Sequence, residues 1–335
     1  MQDQDRGAAP AAGRFVQVPR LDVRELLAEA AGRERAARRV LDACRGSGFF
    51  CVDGFLRHSG THARLLQAMR EFFDLPASDP RKQAVDVTGQ ADTRGWMPLF
   101  REPAYQPGTL ARVESFDVGR PRRASNDAGY LANRWPRIPG FRSVVEEAWH
   151  QFTDIGMAVL EALGLALGSE PSFFAGRCRS QDLSTMRLLH YPGVRPGRPD
   201  DANVGIAAHT DFECITLISQ TAPGLELQDR DGTWHDVPVG PDSIVVLLGD
   251  MLERWTNGAL RATGHRVRNQ PGQRYSVVLF FAVDDAVVVQ PEQSLINPGD
   301  TPRYAPLRQR DHSRARLAEA EKNRDEYART GYGIT

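Results

Sequence analysis

The chain has 335 residues, with 42 Lys and Arg against 43 Asp and Glu, a net charge of −1 and 41% hydrophobic residues. This balance argues against a protein built to coat nucleic acid or an anionic membrane surface, and it leaves enough apolar material for a large buried core. No apolar run approaches the roughly 18–20 residues of a membrane span.

Residues 1–13 are polar and rich in Ala and Gly, with no apolar segment like a secretory signal, and are expected to be a disordered tail. Val18 to Asp22 read as a short strand and a helix start, with Asp22 as N-cap. Apolar positions from Val23 to Cys44 recur at helical spacing, so one amphipathic helix is expected over 23–45. Gly46-Ser47-Gly48 stops it, and Phe49 to Val52 form a buried strand. Residues 61–74 form a second amphipathic helix, with Leu65, Leu66, Met69, Phe72 and Phe73 inward. Residues 84–140 read as irregular and rich in Gly, Pro and aromatics, more a pocket wall than a linker. A long helix follows over 141–167. His150 within it reads as a surface or packed histidine.

From 183 the period changes to that of strands. The runs 184–191, 204–208, 214–219, 224–228, 233–238, 243–248, 264–268, 274–283 and 286–290 are short, β-rich and punctuated by Gly, Pro, Asp and Asn. They fit a double-sheet jelly roll. Asp250 to Trp255 read as one helical turn inside it. A charged helix over about 311–329 is expected to cap the barrel or a neighbouring subunit. The expected fold is therefore mainly β with flanking helices: a double-stranded β-helix (jelly-roll, cupin-like) core with an N-terminal helical region. Its expected parts are a tail (1–13), a helical and loop region integral to the fold (14–183), the core (184–290) and a C-terminal extension with its helix (291–335).

The four cysteines, Cys44, Cys51, Cys178 and Cys214, are scattered without metal spacing, as expected of reduced thiols in a cytoplasmic protein. Lys is nearly absent, Lys82 and Lys322 standing against 40 Arg. We read this as codon bias of a GC-rich genome, which lowers the weight of any single Arg.

The chemistry gathers around His209-Thr210-Asp211, followed 54 residues after Asp211 by His265. Two imidazoles and one carboxylate can occupy one face of an iron(II) ion and leave the other open. His-X-Asp alone is expected about 0.6 times by chance in this composition, so the weight lies in the ordered set. Nine residues past His265 come Arg274 and Ser276 on a strand-like run. Two residues apart on a strand, they point to one side and together suit a carboxylate. No Cys or fourth ligand is spaced for structural zinc.

The order His-X-Asp, strand-rich interval, His, Arg-X-Ser resembles the iron(II)- and 2-oxoglutarate-dependent oxygenases, within them the isopenicillin N synthase-like branch. The start Val18-Pro19-Arg20-Leu21-Asp22, the Phe49-Phe50-Cys51-Val52 strand, Arg94-Gly95-Trp96, Glu114 to Asp117 and Asn133 to Pro136 resemble further landmarks of that family. Asp53-Gly54-Phe55 departs from the family's Asn-His-Gly. The resemblance implies Fe(II) held by His209, Asp211 and His265, with 2-oxoglutarate and dioxygen as co-substrates. It implies that Arg274, Ser276 and Tyr191 serve the distal carboxylate, with no catalytic group beyond the metal ligands. Arg187, Leu189, Phe212 and Phe281 are candidate substrate contacts. The implied reaction is oxidation of an unactivated C–H bond of a small molecule by hydroxylation, desaturation or cyclisation, in bacterial secondary metabolism such as antibiotic biosynthesis. Two alternatives stand beside it: an Fe(II)/O2 oxidase of the same fold that does not use 2-oxoglutarate, and a non-catalytic jelly-roll binding module. The partner expected is the small-molecule substrate, with no nucleic acid and no membrane, for a monomer or homodimer.

Overall fold

The computed structural model describes residues 18–28, 30–54, 60–90, 93–121, 132–194, 204–240, 242–296 and 298–329. The expected tail, residues 1–13, lies outside them.

The N-terminal part runs β1 (Arg20–Asp22), α1 (Val23–Leu26), α2 (Ala30–Arg45), β2 (Phe49–Asp53), α3 (Thr61–Phe73) and α4 (Pro80–Gln83). Asp22 caps α1 by accepting from the Arg24 amide, as its position before an apolar period predicts. The single helix expected over 23–45 is two helices. Leu27 is 58% exposed, so the apolar stripe that suggested continuity has no core to face at the break.

The region expected to be irregular contains two strands, β3 (Trp96–Met97) and β4 (Glu114–Gly119). Every residue of β4 is buried, although Glu114, Ser115 and Asp117 are polar. Its polar side chains are satisfied by distant partners instead. Glu114 accepts from Trp96 Nε1 (2.8 Å) and Lys82 Nζ (3.1 Å) and pairs with His190 Nδ1 (2.8 Å). Asp117 takes a two-toothed bond from Arg187 (2.8 and 2.7 Å). Buried charges that find such partners behave as core.

After α5 (Phe141–Ala166) and α6 (Ser172–Ala175) come the jelly-roll strands. These are β5 (Thr185–Tyr191), β6 (Ile206–His209), β7 (Ile215–Gln220), β8 (Leu225–Gln228), β9 (Trp234–Asp236), β10 (Ser243–Leu248), β11 (His265–Val267) and β12 (Arg274–Phe281). The turn α7 (Asp250–Trp255) sits after β10 as expected, and β13 (Val288–Val289), β14 (Leu307–Arg308) and α8 (Gln309–Arg329) close the described chain. The larger sheet has the order β1-β2-β10-β7-β12-β5-β4-β3 and the smaller β6-β11-β8-β9. The two form the double-stranded β-helix, and strands from the N-terminal region extend its larger sheet.

Strand parity divides the core in two. On β12, Tyr275, Val277, Leu279 and Phe281 face the helices, within the large cluster that includes Val145, Trp149 and Phe152 of α5. Val278 faces the barrel interior with Leu189, Tyr191, Ile218, Leu227 and Val267, and Phe280 packs against that cluster. The helix side is close-packed: a Cβ on Gly156 of α5 would lie 2.4 Å from the Phe281 ring, so the absent side chain lets α5 sit on the sheet.

Candidate active site

His209 ends β6 and His265 opens β11, and the two are direct partners across that antiparallel pair. Their Nε2 atoms each lie 3.6 Å from Asp211 Oδ1. One ligand atom from each of the three residues lies within 4.8 Å of the others, a group that could hold a metal ion. The other ring nitrogens are tied back: His209 Nδ1 is 2.8 Å from the Ala207 carbonyl and His265 Nδ1 is 3.1 Å from that of Thr263. A carbonyl only accepts, so each Nδ1 carries the proton and each Nε2 lone pair is left for the site. Burial, followed by the neighbouring His265, holds His209 well below the usual imidazole value, which keeps it neutral. Thr216 donates to Asp211 Oδ2 (2.5 Å), leaving Oδ1 to face the imidazoles. The Asp211 loop is backed by the chain after β10, where the Asp250 amide donates to the Asp211 carbonyl (2.9 Å). A Cβ on Gly249 would meet the Glu213 carbonyl oxygen at 2.2 Å, so only glycine permits this approach.

Deeper in the barrel, Arg274 lies opposite Tyr191 in the β12–β5 pairing, with its guanidinium 4.6 Å above that ring. Arg274 is 1% exposed. Its Nη2 donates to Gln220 Oε1 (2.7 Å) and its Nε to the Ala222 carbonyl (3.2 Å). Its Nη1 is buried without a hydrogen-bond partner among the described residues. Burial pulls the guanidinium below its ordinary pKa and pushes the Tyr191 hydroxyl up. Ser276 donates to the Ser219 carbonyl (2.9 Å). A cavity runs from the triad to this end, walled by Leu189, Ile206, Ile218, Leu225, Val267 and Val278.

A second cavity of about 170 Å³ opens on the other side of His209 and Asp211. Arg187 and Phe280 line both cavities, while Leu189 belongs to the inner and Phe212 to the outer one. Arg187 is already engaged, by Asp117 and by Glu102 (3.0 Å). Burial opposes its charge, but these two carboxylates outweigh burial and hold the guanidinium well above its ordinary value. Phe281 does not fit its expected place as a substrate contact. It faces α5 on the opposite side of β12, and Phe280 is the ring that reaches the cavities. The outer cavity is roofed by α8 through Ser313, Leu317, Glu321 and Arg324. That helix is fixed by the Ala104 amide on the Ala320 carbonyl (3.0 Å), Asn323 on the Ala104 carbonyl (3.2 Å) and a His312–Asp250 contact (2.7 Å).

Two family models match the chain: the 2OG-Fe(II) oxygenase superfamily over residues 183–283, and the N-terminal model of a non-haem dioxygenase in morphine synthesis over residues 18–138. The 2-oxoglutarate-Fe(II) type oxidoreductase hxnY of Emericella nidulans is 31% identical, with 83% of each chain covered. The chain belongs to the 2OG-Fe(II) oxygenase superfamily. A proline hydroxylase of Petromyces alliaceus is 31% identical to this oxygenase over 86% of its chain and 94% of the relative. A homoarginine-6-hydroxylase of Arabidopsis thaliana is 31% identical over 83% and 88%. Among solved structures, a 2OG-Fe(II) oxygenase family protein of Caulobacter crescentus superposes with a TM-score of 0.77 at 28% identity, covering 90% of this chain and 99% of that one. A Neurospora crassa protein crystallised with alpha-KG shares the fold at 23% identity, with a TM-score of 0.78 and coverage of 90% and 96%.

The oxygenase is thus an Fe(II)- and 2-oxoglutarate-dependent dioxygenase, with O2 as the other co-substrate. Its residues fit both groups. The triad supplies two imidazoles and a carboxylate, and the buried Nη1 of Arg274, without a partner among the described residues, suits an anion. The curated relatives named above are fungal and plant proteins, which lends no support to a bacterial secondary-metabolic setting. Among the described residues no helix is long and apolar enough to cross a membrane.

Sequence reasoning missed Tyr105, Thr216, Gln220, Glu102 and Asp117. Tyr105 stacks on His209 with ring centroids 4.1 Å apart and planes 6° apart. It comes from a loop with no period to mark it. Thr216 and Gln220 carried a usable signal, because they share the inward parity of Ile218 on β7.

Proposed function

We propose that this oxygenase hydroxylates an unactivated C–H bond of a small molecule, with His209, Asp211 and His265 as iron ligands and Arg274 and Ser276 holding the distal carboxylate of 2-oxoglutarate. The observation that carries the reading is the convergence of two imidazoles and one carboxylate at the junction of two cavities, one ending at the buried Arg274 guanidinium, whose Nη1 has no hydrogen-bond partner among the described residues. When bound, iron and 2-oxoglutarate supply the oxidation: the keto acid leaves as succinate and carbon dioxide, and one oxygen atom of O2 enters the substrate.

The protein's own residues orient and shelter. Thr216 occupies one Asp211 oxygen and so selects the other for the metal. Tyr105 covers one face of His209 and excludes water from it. Phe212 and Phe280 give the substrate side apolar walls, and the Arg187–Asp117–Glu102 group gives it one polar wall. The roof formed by α8 shields the reacting C–H bond from solvent, and position then selects which bond reacts. Tyr191 supports the Arg274 guanidinium from below. Two of the relatives are named as hydroxylases, which favours hydroxylation over desaturation or cyclisation. The same relatives weigh against the oxidase and binding-module alternatives. Four free, buried thiols favour a reducing compartment, and we place the protein in the cytoplasm.

The test is an anaerobic titration of apo-protein with Fe(II) and then 2-oxoglutarate, following the weak visible charge-transfer band of a chelated keto acid at roughly 500–530 nm. The reading expects a band that is lost in His209→Ala and Asp211→Ala and weakened in Arg274→Ala. A band that survives Asp211→Ala unchanged overturns the ligand assignment.

A further inference from the structure

We propose that Gln220 is a donor to the distal carboxylate of 2-oxoglutarate and, through its other amide atom, the clamp that sets the Arg274 guanidinium for that carboxylate. Gln220 ends β7 directly opposite Ser276 in the β12 pairing. It follows Thr216 and Ile218, which line the inner cavity, on the same face of the strand. Its side chain therefore joins Arg274 and Ser276 on the barrel's inner face, and it is 5% exposed.

The amide orientation is dictated by its neighbour. A guanidinium has no acceptor, so the amide atom 2.7 Å from Arg274 Nη2 is the oxygen. The Nε2 group then points elsewhere, and it is buried without a hydrogen-bond partner among the described residues, as is Arg274 Nη1. Two orphaned donors on two bonded side chains are uncommon in a buried place, where nearly all polar groups are paired. A carboxylate has two oxygens and about four acceptor sites. It can take Nη1 and Nε2 at once, and the Ser276 hydroxyl once that proton turns from the Ser219 carbonyl.

Charge explains why an amide serves better here than a second cation. The surrounding walls, Leu189, Ile218, Leu225, Val267 and Val278, are apolar. Arg274 already matches the single charge of a distal carboxylate. A neutral donor adds a hydrogen bond without leaving an unbalanced buried charge.

The experiment measures dissociation constants of the Fe(II)-loaded protein, without oxygen, for two probes. One is 2-oxoglutarate; the other is 2-oxopentanoate, which keeps the keto-acid head and lacks the distal carboxylate. Gln220→Met keeps length and removes both polar atoms. It is expected to weaken 2-oxoglutarate by about 10- to 100-fold, the range for a hydrogen bond to a charged group, and 2-oxopentanoate by less than about 3-fold. Gln220→Glu is expected to weaken 2-oxoglutarate further, because an ionised carboxylate pairs with Arg274 and repels the ligand. Repeating Gln220→Met in an Arg274→Ala background separates direct contact from clamping. A selective loss that persists there supports the donor role, and one that vanishes there overturns it. Equal losses for both keto acids, or none, overturn the whole proposal. Gln220→Asn, which keeps the amide at shorter reach, replaces Gln220→Met if the latter does not fold, with the same selective loss expected.

Discussion

His209 and His265 are direct cross-strand partners, their ring centroids 4.2 Å apart at 47° between planes. Because β6 and β11 are hydrogen-bonded neighbours, the two imidazoles start on one side of one small sheet. Asp211 needs only the turn after β6 to join them. A metal centre so placed is carried by the backbone ladder, which makes its ligand geometry a property of the barrel.

Metal binding should therefore report on the ladder and on each ligand separately. Saturating Fe(II) at about 100 times its dissociation constant stabilises the fold by about 2.7 kcal/mol. We expect Fe(II) added without oxygen to raise the melting temperature of the wild type and to leave His265→Ala unmoved. Chelation should abolish 2-oxoglutarate turnover, and restored Fe(II) should return it. A metal-induced rise in His265→Ala equal to that of the wild type would contradict the assignment.

The two adjacent phenylalanines of β12 should separate stability from substrate handling. Phe281→Ala empties space against Gly156 of α5 and should cost about 3–5 kcal/mol, read by urea denaturation, with the KM for substrate unchanged once folded. Phe280→Ala should cost less stability and change KM or the site of oxidation. The reverse pattern would mean that β12 presents its other face.

Arg187 should behave as a structural cation. Its partners Asp117 and Glu102 are both buried, so Arg187→Leu strands two carboxylates and should cost about 3–5 kcal/mol. Chemical denaturation at neutral pH reads this loss. A Leu variant as stable as the wild type would show that the residue exists for the ligand alone.

The buried thiols give a pH prediction. Burial pushes Cys44 from 9.0 up to about 12 and Cys51 up to about 11. Both folded values lie above the unfolded one, so the unfolded chain gives up these protons first. Their contribution is full below pH 9 and is lost as pH rises through 11 to 12. Denaturation curves between pH 8 and pH 11 should show stability falling, and Cys44→Ala should flatten part of that fall. At neutral pH the native protein should react slowly with a thiol reagent, and all four cysteines should react in denaturant.

Much of the barrel was legible because strands announce themselves by a period of two and by turn residues. The runs around 184–191, 243–248 and 274–283 became β5, β10 and β12 with ends shifted by at most two residues. The same parity that placed Arg274 and Ser276 together also places Phe280 with them. Phe281 has the opposite parity and packs on the helix side. The strand β4 is a different case. Glu114, Ser115 and Asp117 read as polar loop, and they are core because Lys82 and His190 reach Glu114, Glu102 accepts from Ser115 and Arg187 pairs with Asp117.

The sequence by itself marked the runs that became the jelly-roll strands, and it singled out His209, Asp211 and His265 as a candidate metal set and Arg274 and Ser276 as a candidate carboxylate grip, because each rests on local period and side-chain chemistry. Only the tertiary structure decided that Arg187 is engaged by carboxylates, that Tyr105 stacks on His209, that α8 roofs the cavity of its own chain, and that the Gln220 amide oxygen meets Arg274 while its nitrogen finds no partner among the described residues. The physical reason is one of range. Periodicity is written within a strand or helix, whereas the cost of burying a polar group depends on a partner that folding alone brings near.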